Sequence, residues 1–456
     1  MTDYGKLLHA QKEYWLTGAT RPLDFRISKL MKLQKAVKEK YPEIIAALQK
    51  DIGKSEFESF TTEVMCVLDE LKQAIKHLRS WAKPKRAKTP IVAFKASSRI
   101  YPEPYGCVLV ITAWNYPFLL AMNPLIGAVS AGNCCIIKPS ETAPHTSAVV
   151  KEIINDIYEE NFCTVVEGAA EETTMLLKQS FDMIHYTGSE RVGKIIASAA
   201  AENLTPVILE LGGKSPCIVD ETADTDMAAK RIMWGKLLNA GQTCVAPDYV
   251  LAHEAIKENF LASLVKYRNE FYKGLTEGCS DYCHIINKKN YERLLSCLEG
   301  SDIIAGGKCD MEELFIEPTI LNNVTWESPV MKEEIFGPIL PVLTYSEMDE
   351  AIRMIHSHSK PLALYYFTKD RKREKKMIEC VSFGGGCINA TLMHTVNPNL
   401  PFGGVGNSGM GYYHGKWGFE AFSHQKSVLK KSTAVDFKLI YPPYKDKLKM
   451  LKRFYF

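Results

Sequence analysis

Apolar residues recur at helical spacing from about Phe25 to Lys54, where Ile27, Leu30, Leu33 and Val37 share one face, and the period continues to about Trp81. A stripe of that kind buries one side of a helix, so the chain is expected to start with amphipathic helix. The period stops in the basic, Pro-bearing segment Lys83 to Thr89, and Ile91 to Tyr101 then leans toward strand, which predicts a separate hairpin or arm. From Val108 the pattern becomes short apolar runs: Val108–Thr112, Cys134–Ile137, Thr164–Val166, Met183–Tyr186, Val207–Leu211 and Cys217–Val219. Such runs, separated by helical stretches, predict βαβ units and a doubly wound parallel sheet. Open sheets of this kind bind ligands at the carboxyl ends of their strands. Beyond them, a helix over about Thr225 to Asn239 is expected to stop at a left-handed Gly241, and a second α/β stretch to run from Tyr249 to about Ala390. The run Pro401 to Gly415 holds too much glycine for regular structure and reads as an ordered loop.

Composition narrows the class. With 456 residues, 46% hydrophobic and 24% charged, the chain supports more than one packed lobe and excludes disorder. Its 56 basic and 53 acidic residues give a net charge of only +3, mixed along the sequence, so no nucleic-acid footprint is expected. The one local excess runs from Lys445 to Phe456, where Lys445, Lys447, Lys449, Lys452 and Arg453 alternate with Leu448, Met450, Leu451 and Phe454. That end suits either an anionic membrane surface or the flank of a neighbouring lobe. Thirteen cysteines without any C-x-x-C pair suggest neither a disulfide framework nor a thiolate metal site, and point to a reducing compartment. No apolar leader opens the chain and no run long enough to span a bilayer occurs, so the expectation is a cytoplasmic protein.

Two glycine motifs are decoys. Gly404 to Gly409 satisfies G-x-G-x-x-G but follows Pro401 rather than a strand, and in Gly213-Lys214-Ser215 the first P-loop glycine is replaced by Ile208. Phosphoryl transfer is therefore not expected. The segment Met183 to Gly193 runs from an apolar strand through Gly188-Ser189 into a helix, either as an anion site or as a tight turn without a ligand. Gly241-Gln242-Thr243-Cys244-Val245-Ala246-Pro247 places one cysteine in a loop bounded by Gly and Pro, where a thiol can be exposed, ionised as thiolate and flanked by free N–H groups. Glu210 stands in an apolar strand, where it is either a buried base with a raised pKa or an acid at the strand's wet end.

Taken together, the string Leu209-Glu210-Leu211-Gly212-Gly213-Lys214-Ser215-Pro216 followed by Gly241-Gln242-Thr243-Cys244 resembles the signature pair of the aldehyde dehydrogenase superfamily. Further family motifs occur in family order: Trp114-Asn115-Tyr116-Pro117, Lys138-Pro139-Ser140-Glu141, Thr187-Gly188-Ser189, Glu334-Ile335-Phe336-Gly337-Pro338 and Pro401-Phe402-Gly403-Gly404. The likeness spans about Arg21 to Ser427, and its closing string resembles class 3 members in particular.

This resemblance implies a Rossmann-like cofactor domain (1–82 and 103–211), an α/β catalytic domain (212–397), and oligomerisation segments (83–102 and 425–456) including a small β arm. A glycine-rich closing segment (398–424) completes it. It implies Cys244 as nucleophile, Glu210 as the base that activates water, and Asn115 as an oxyanion donor. Lys138, Glu141, Gly188, Ser189, Gly193, Glu334 and Phe336 would hold the cofactor, with no metal. Glu141 would pair with ribose hydroxyls and repel a 2′-phosphate, which favours NAD while leaving NADP possible. Glu334 is a second candidate base. The expected product is a carboxylic acid from a medium-chain, long-chain or aromatic aldehyde, made by a homodimer. A CoA-acylating enzyme and a catalytically silent scaffold are the alternatives.

Overall fold

The computed structural model describes residues 3–272, 281–437, 440–444 and 447–455. The N-terminal helical signal resolves into helices Leu23–Glu39, Tyr41–Ile52 and Met65–Trp81, in which Leu30, Leu33, Val37, Ile44, Leu48 and Leu71 are fully buried. An earlier helix, Tyr4–Leu16, escapes the periodicity because a polar residue occupies its core side. Gln11 is wholly buried there and donates to the Cys135 and Glu160 carbonyls, both at 3.2 Å.

The six apolar runs are strands, but they do not form one sheet. Five build a six-stranded sheet in the order Gly409–Met410, Val207–Glu210, Met183–Thr187, Cys107–Ile111, Cys134–Lys138 and Cys163–Val165. All its pairings are parallel except that of Gly409–Met410 with the Glu210 strand. The sixth run, Pro216–Val219, belongs to a seven-stranded sheet ordered Asp302–Ala305, Thr319–Asn322, Ile339–Tyr345, Tyr249–His253, Pro216–Val219, Ala363–Phe367 and Gly385–Ile388. Each sheet has its own apolar core. Strand order in the first sheet reverses between Cys107–Ile111 and Met183–Thr187, so the crevice at their carboxyl ends opens where a ligand is expected.

The arm is three-stranded: Lys85–Ala87, Ala96–Pro104 and Ser423–Lys431, all antiparallel. Ile91–Ala93 is a single 3-10 turn rather than strand, with Ile91 90% and Val92 72% exposed. The last described helix is Lys447–Tyr455, and Leu448, Met450 and Leu451 are exposed on it. Lys445 and Phe456 of the basic stretch lie outside the described residues. Among the described residues no helix is long and apolar enough to cross a membrane.

Candidate functional site

The cysteine loop departs from the expected helix stop. The helix Thr225–Leu237 ends two residues early, and Asn239, Ala240 and Gly241 all take left-handed φ of 56°, 51° and 73°. Non-glycine residues in that region carry strain of about 1–2 kcal/mol each, which surrounding bonds must hold. Asn239 supplies them: its N–H donates to Glu58 Oε1 at 2.6 Å, and its Nδ2 to the carbonyls of Asn115 at 2.9 Å and Gln242 at 3.0 Å. Gln242 is anchored in turn by His284 O and Ile286 N, both at 3.0 Å. Cys244 then sits in a tight turn closed by Ala246 N to Thr243 O at 2.9 Å. A Cβ at Gly241 would lie 2.2 Å from the Gly337 carbonyl oxygen, so the loop needs glycine to approach the Glu334–Gly337 segment. Gly241→Ala is expected to lose about 1–2 kcal/mol of stability or more and to lower kcat/KM, checked by thermal unfolding and initial rates.

Cys244 is partly buried, and its thiol is pushed up to about 12 by burial, then by Glu334 and Glu210. The two acids and the apolar surroundings work against a thiolate, while the N–H groups of Cys244 and Val245 favour it. The resting site holds a thiol. Asn115, 3% exposed, donates from Nδ2 to the Gln242 carbonyl at 3.1 Å, which fixes its amide beside the same loop. One of its two amide hydrogens remains for another acceptor.

Glu210 is 2% exposed, which decides against the wet strand end. Burial pushes its carboxyl well above the usual range, and neither oxygen has a hydrogen-bond partner. A carboxyl of this kind, with its proton affinity raised by burial and no bond holding either oxygen, is free to exchange a proton rather than to anchor structure. Glu334 differs. Burial, then Asp248, raises it to about 8, but the Gly213 N–H bonds its carboxyl, and Gly212 leaves room where a Cβ would collide with it. Arg293 holds the carbonyls of Glu334 and Ile335 at 3.2 and 2.8 Å, and Asp248 accepts from Ile335 N at 2.8 Å. Phe336, at φ 50°, packs edge-to-face on Trp114 with ring centroids 5.4 Å apart.

Lys138 ends its strand, 2% exposed, with Nζ 2.8 Å from the Pro139 carbonyl and 3.4 Å from Glu141, whose side chain is half exposed. Ser189 caps the helix Glu190–Glu202, accepting from Val192 N at 3.4 Å, so the free N–H groups of a 13-residue helix open on the crevice. A Cβ at Gly188 would strike the Tyr186 hydroxyl. These residues fit a dinucleotide, with ribose partners at one strand end and an anion cradle at another. Gly193 is buried one turn into the same helix, and a Cβ there would sit 2.7 Å from Leu211. The missing side chain lets the helix pack closely on the end of the sheet.

Both decoys are structural. Lys214 braces Asp248 at 2.6 Å and the Glu333 carbonyl at 2.8 Å, while Gly409, at φ 156°, lets its strand close over Leu209. Among the described residues no group of His, Cys, Asp and Glu could hold a metal. Sequence reasoning passed over a wall of stacked rings. Phe402 lies 5.0 Å from His414 at 12°, and Tyr413 lies 4.3 Å from His414. Burial lowers His394 and His414 to about 4, so both are neutral, and burial, then Glu210 and Cys244, keeps the Tyr413 hydroxyl protonated. Only G-Y-Y-H, lost among glycines, marked that wall in the sequence.

Residues 6–428 match the model of the aldehyde dehydrogenase family. The chain is 50% identical over 446 residues, 97% of each protein, to 4,4′-diaponeurosporen-aldehyde dehydrogenase of Staphylococcus aureus. It is 45% identical over 450 residues, 98% of this chain and 99% of the other, to the dimeric NADP-preferring aldehyde dehydrogenase of Rattus norvegicus. Among solved structures, the substrate-bound Staphylococcus aureus enzyme AldH superposes with a TM-score of 0.97 over 100% of both chains at 48% identity. An indole-3-acetaldehyde dehydrogenase complexed with NAD+ superposes at 0.86, with 25% identity over 93% of this chain and 88% of that one. A thiol, a buried carboxyl and a dinucleotide crevice converging in this fold have one family in common, and the chain belongs to it: the aldehyde dehydrogenases, NAD(P)-dependent enzymes that oxidise aldehydes to carboxylic acids.

Proposed function

We propose that Cys244 Sγ adds to the aldehyde carbon, its thiol proton leaving to solvent, while the Asn115 amide and the Cys244 N–H hold the developing oxyanion. NAD(P), when bound at Lys138, Glu141, Gly188, Ser189, Glu334 and Phe336, supplies the hydride acceptor. The acyl group is left on Sγ as a thioester. Glu210, in its ionised form, then takes a proton from the attacking water, the C–S bond breaks as the acid forms, and the proton passes from Glu210 to Sγ to restore the Cys244 thiol. The observation that carries the choice of Glu210 over Glu334 is its free carboxyl: both oxygens lack partners, whereas Glu334 is tied to Gly213. Formation of acyl-CoA instead of acid when CoA is added would favour an acylating enzyme, and no aldehyde-dependent NADH at all would favour a silent scaffold.

The unit of residues 1–82 and 103–211 is assigned to the cofactor, 212–397 to catalysis and 398–424 to closure over the Glu210 strand. The neutral ring wall of His394, Phe402, Tyr413 and His414 suits an apolar acyl chain or an aromatic ring. The Staphylococcus relative is named for a long apolar aldehyde. Expected kcat/KM rises with aldehyde length and is high for benzaldehyde, and a decline with length would overturn the assignment. NAD is favoured over NADP because Glu141 presents a carboxylate where a 2′-phosphate would lie. Glu141→Gln is expected to raise the NADP:NAD ratio of kcat/KM by about tenfold, equivalent to ~1.4 kcal/mol. A homodimer joined through the arm, with the C-terminal segment as a further contact, fits the exposed Ile91, Val92, Phe94 and Leu429 and the rat relative's name. Light scattering would report it. Free thiols at every described cysteine suit a reducing cytoplasm.

A further inference from the structure

We propose that the buried ion pair Lys54–Glu63 is the positioning device of the oxyanion site, clamping the backbone of Asn115 so that its amide meets the substrate oxygen. The inference rests on the reading of Asn115 as oxyanion donor. Both side chains are 0% exposed and their charged atoms lie 2.6 Å apart. Lys54 follows the helix Tyr41–Ile52, and Glu63 lies in a π-helical turn, Phe60–Val64.

The pair grips Asn115 from both sides. Lys54 Nζ reaches the Asn115 carbonyl at 3.5 Å and stands 4.1 Å over the Tyr116 ring, whose hydroxyl meets Thr243 Oγ1 at 2.7 Å. The other Glu63 oxygen accepts from Phe118 N at 2.9 Å and Leu119 N at 3.2 Å. Those N–H groups open the helix Pro117–Ala131, which has no side-chain cap of its own at Tyr116. A carbonyl held before the helix and two N–H groups held at its start leave residue 115 little freedom. Asn239 and Gln242 then join the clamp to the cysteine loop.

Stability alone does not call for such a pair. Two charges removed from water lose about as much solvation as their attraction returns, and apolar side chains of like volume often serve as well. What an apolar pair cannot do is bond a carbonyl and two N–H groups at once. Single-turn π-helical insertions such as the one carrying Glu63 occur frequently at functional sites.

The test uses the full-length enzyme as Glu63→Gln, the double variant Lys54→Met/Glu63→Leu, Asn115→Ala, and the combination of the last two. Burst rate constants for NADH with benzaldehyde, NAD affinity and Tm are measured for each. The pair variants are expected to slow the burst about 10- to 100-fold, the size of effect a displacement of about 1 Å produces, with NAD affinity within about twofold of wild type. The double variant leaves no unpaired buried charge, so it keeps the comparison open should Glu63→Gln unfold, and its burst stays slow. Because the pair acts through Asn115, adding it to Asn115→Ala slows the burst by less than about twofold more. A wild-type burst in the pair variants, or losses that multiply with Asn115→Ala, overturns the proposal. An unchanged burst in Asn115→Ala alone overturns the oxyanion reading beneath it.

Discussion

Replacing Cys244 by alanine is expected to abolish aldehyde-dependent NADH formation, with residual turnover lower by about 10⁴-fold or more, as when a covalent nucleophile is removed. NAD affinity and thermal stability should stay near wild type, because the side chain is partly buried in a turn whose bonds run through Thr243, Gln242 and Asn239. Cys244→Ser keeps the volume and shares the loss, since a hydroxyl is a far weaker nucleophile. The result that would remove the nucleophile assignment is NADH production surviving in Cys244→Ala. Burial, Glu334 and Glu210 raise the resting thiol to about 12, so its proton must leave for Sγ to act as nucleophile.

For Glu210→Gln, the expected result is a burst of NADH close to one equivalent followed by turnover slowed about 10²- to 10⁴-fold, the usual weight of a general base. Loss of the burst would show that Glu210 acts before hydride transfer. The same variant carries a stability signature. The folded carboxyl holds its proton well above the ordinary carboxyl range, so the stability it contributes is complete below that range and is lost as pH rises through its folded value. Glutamine does not titrate. The Tm of Glu210→Gln relative to wild type is therefore expected to rise as pH increases above the ordinary carboxyl range. A difference that stays flat with pH would mean that Glu210 is ionised in the folded protein.

Much of this site was legible before any coordinates. The strands ending at Ile111, Lys138, Thr187 and Glu210 were visible because strands covered on both faces read as unbroken apolar runs. The cysteine loop was visible because Gly241 and Pro247 punctuate it. Other features had no such mark. Lys54, just past one helix, and Glu63, in a π-helical turn, lie far upstream, and only folding carries them to Asn115. The packing of Gly193 on Leu211, just past the end of the Glu210 strand, has no mark in the sequence either. The early end of the helix at Leu237 is set by Glu58 and Asn115, which accept the bonds of the left-handed Asn239.

By itself the sequence determined which groups exist and in what order: a loop thiol, a strand-end acid, an amide before a helix, and glycines where backbone must pass close. These are local properties, set by periodicity and by residues whose conformations few others can adopt. Protonation state was left to the tertiary structure. Glu210 became a neutral carboxyl without partners, and Cys244 a thiol rather than a thiolate, because burial and neighbouring charge are sums over residues distant in the chain. The same packing split the six apolar runs between two sheets, since pairing depends on which strand lies alongside and not on which comes next.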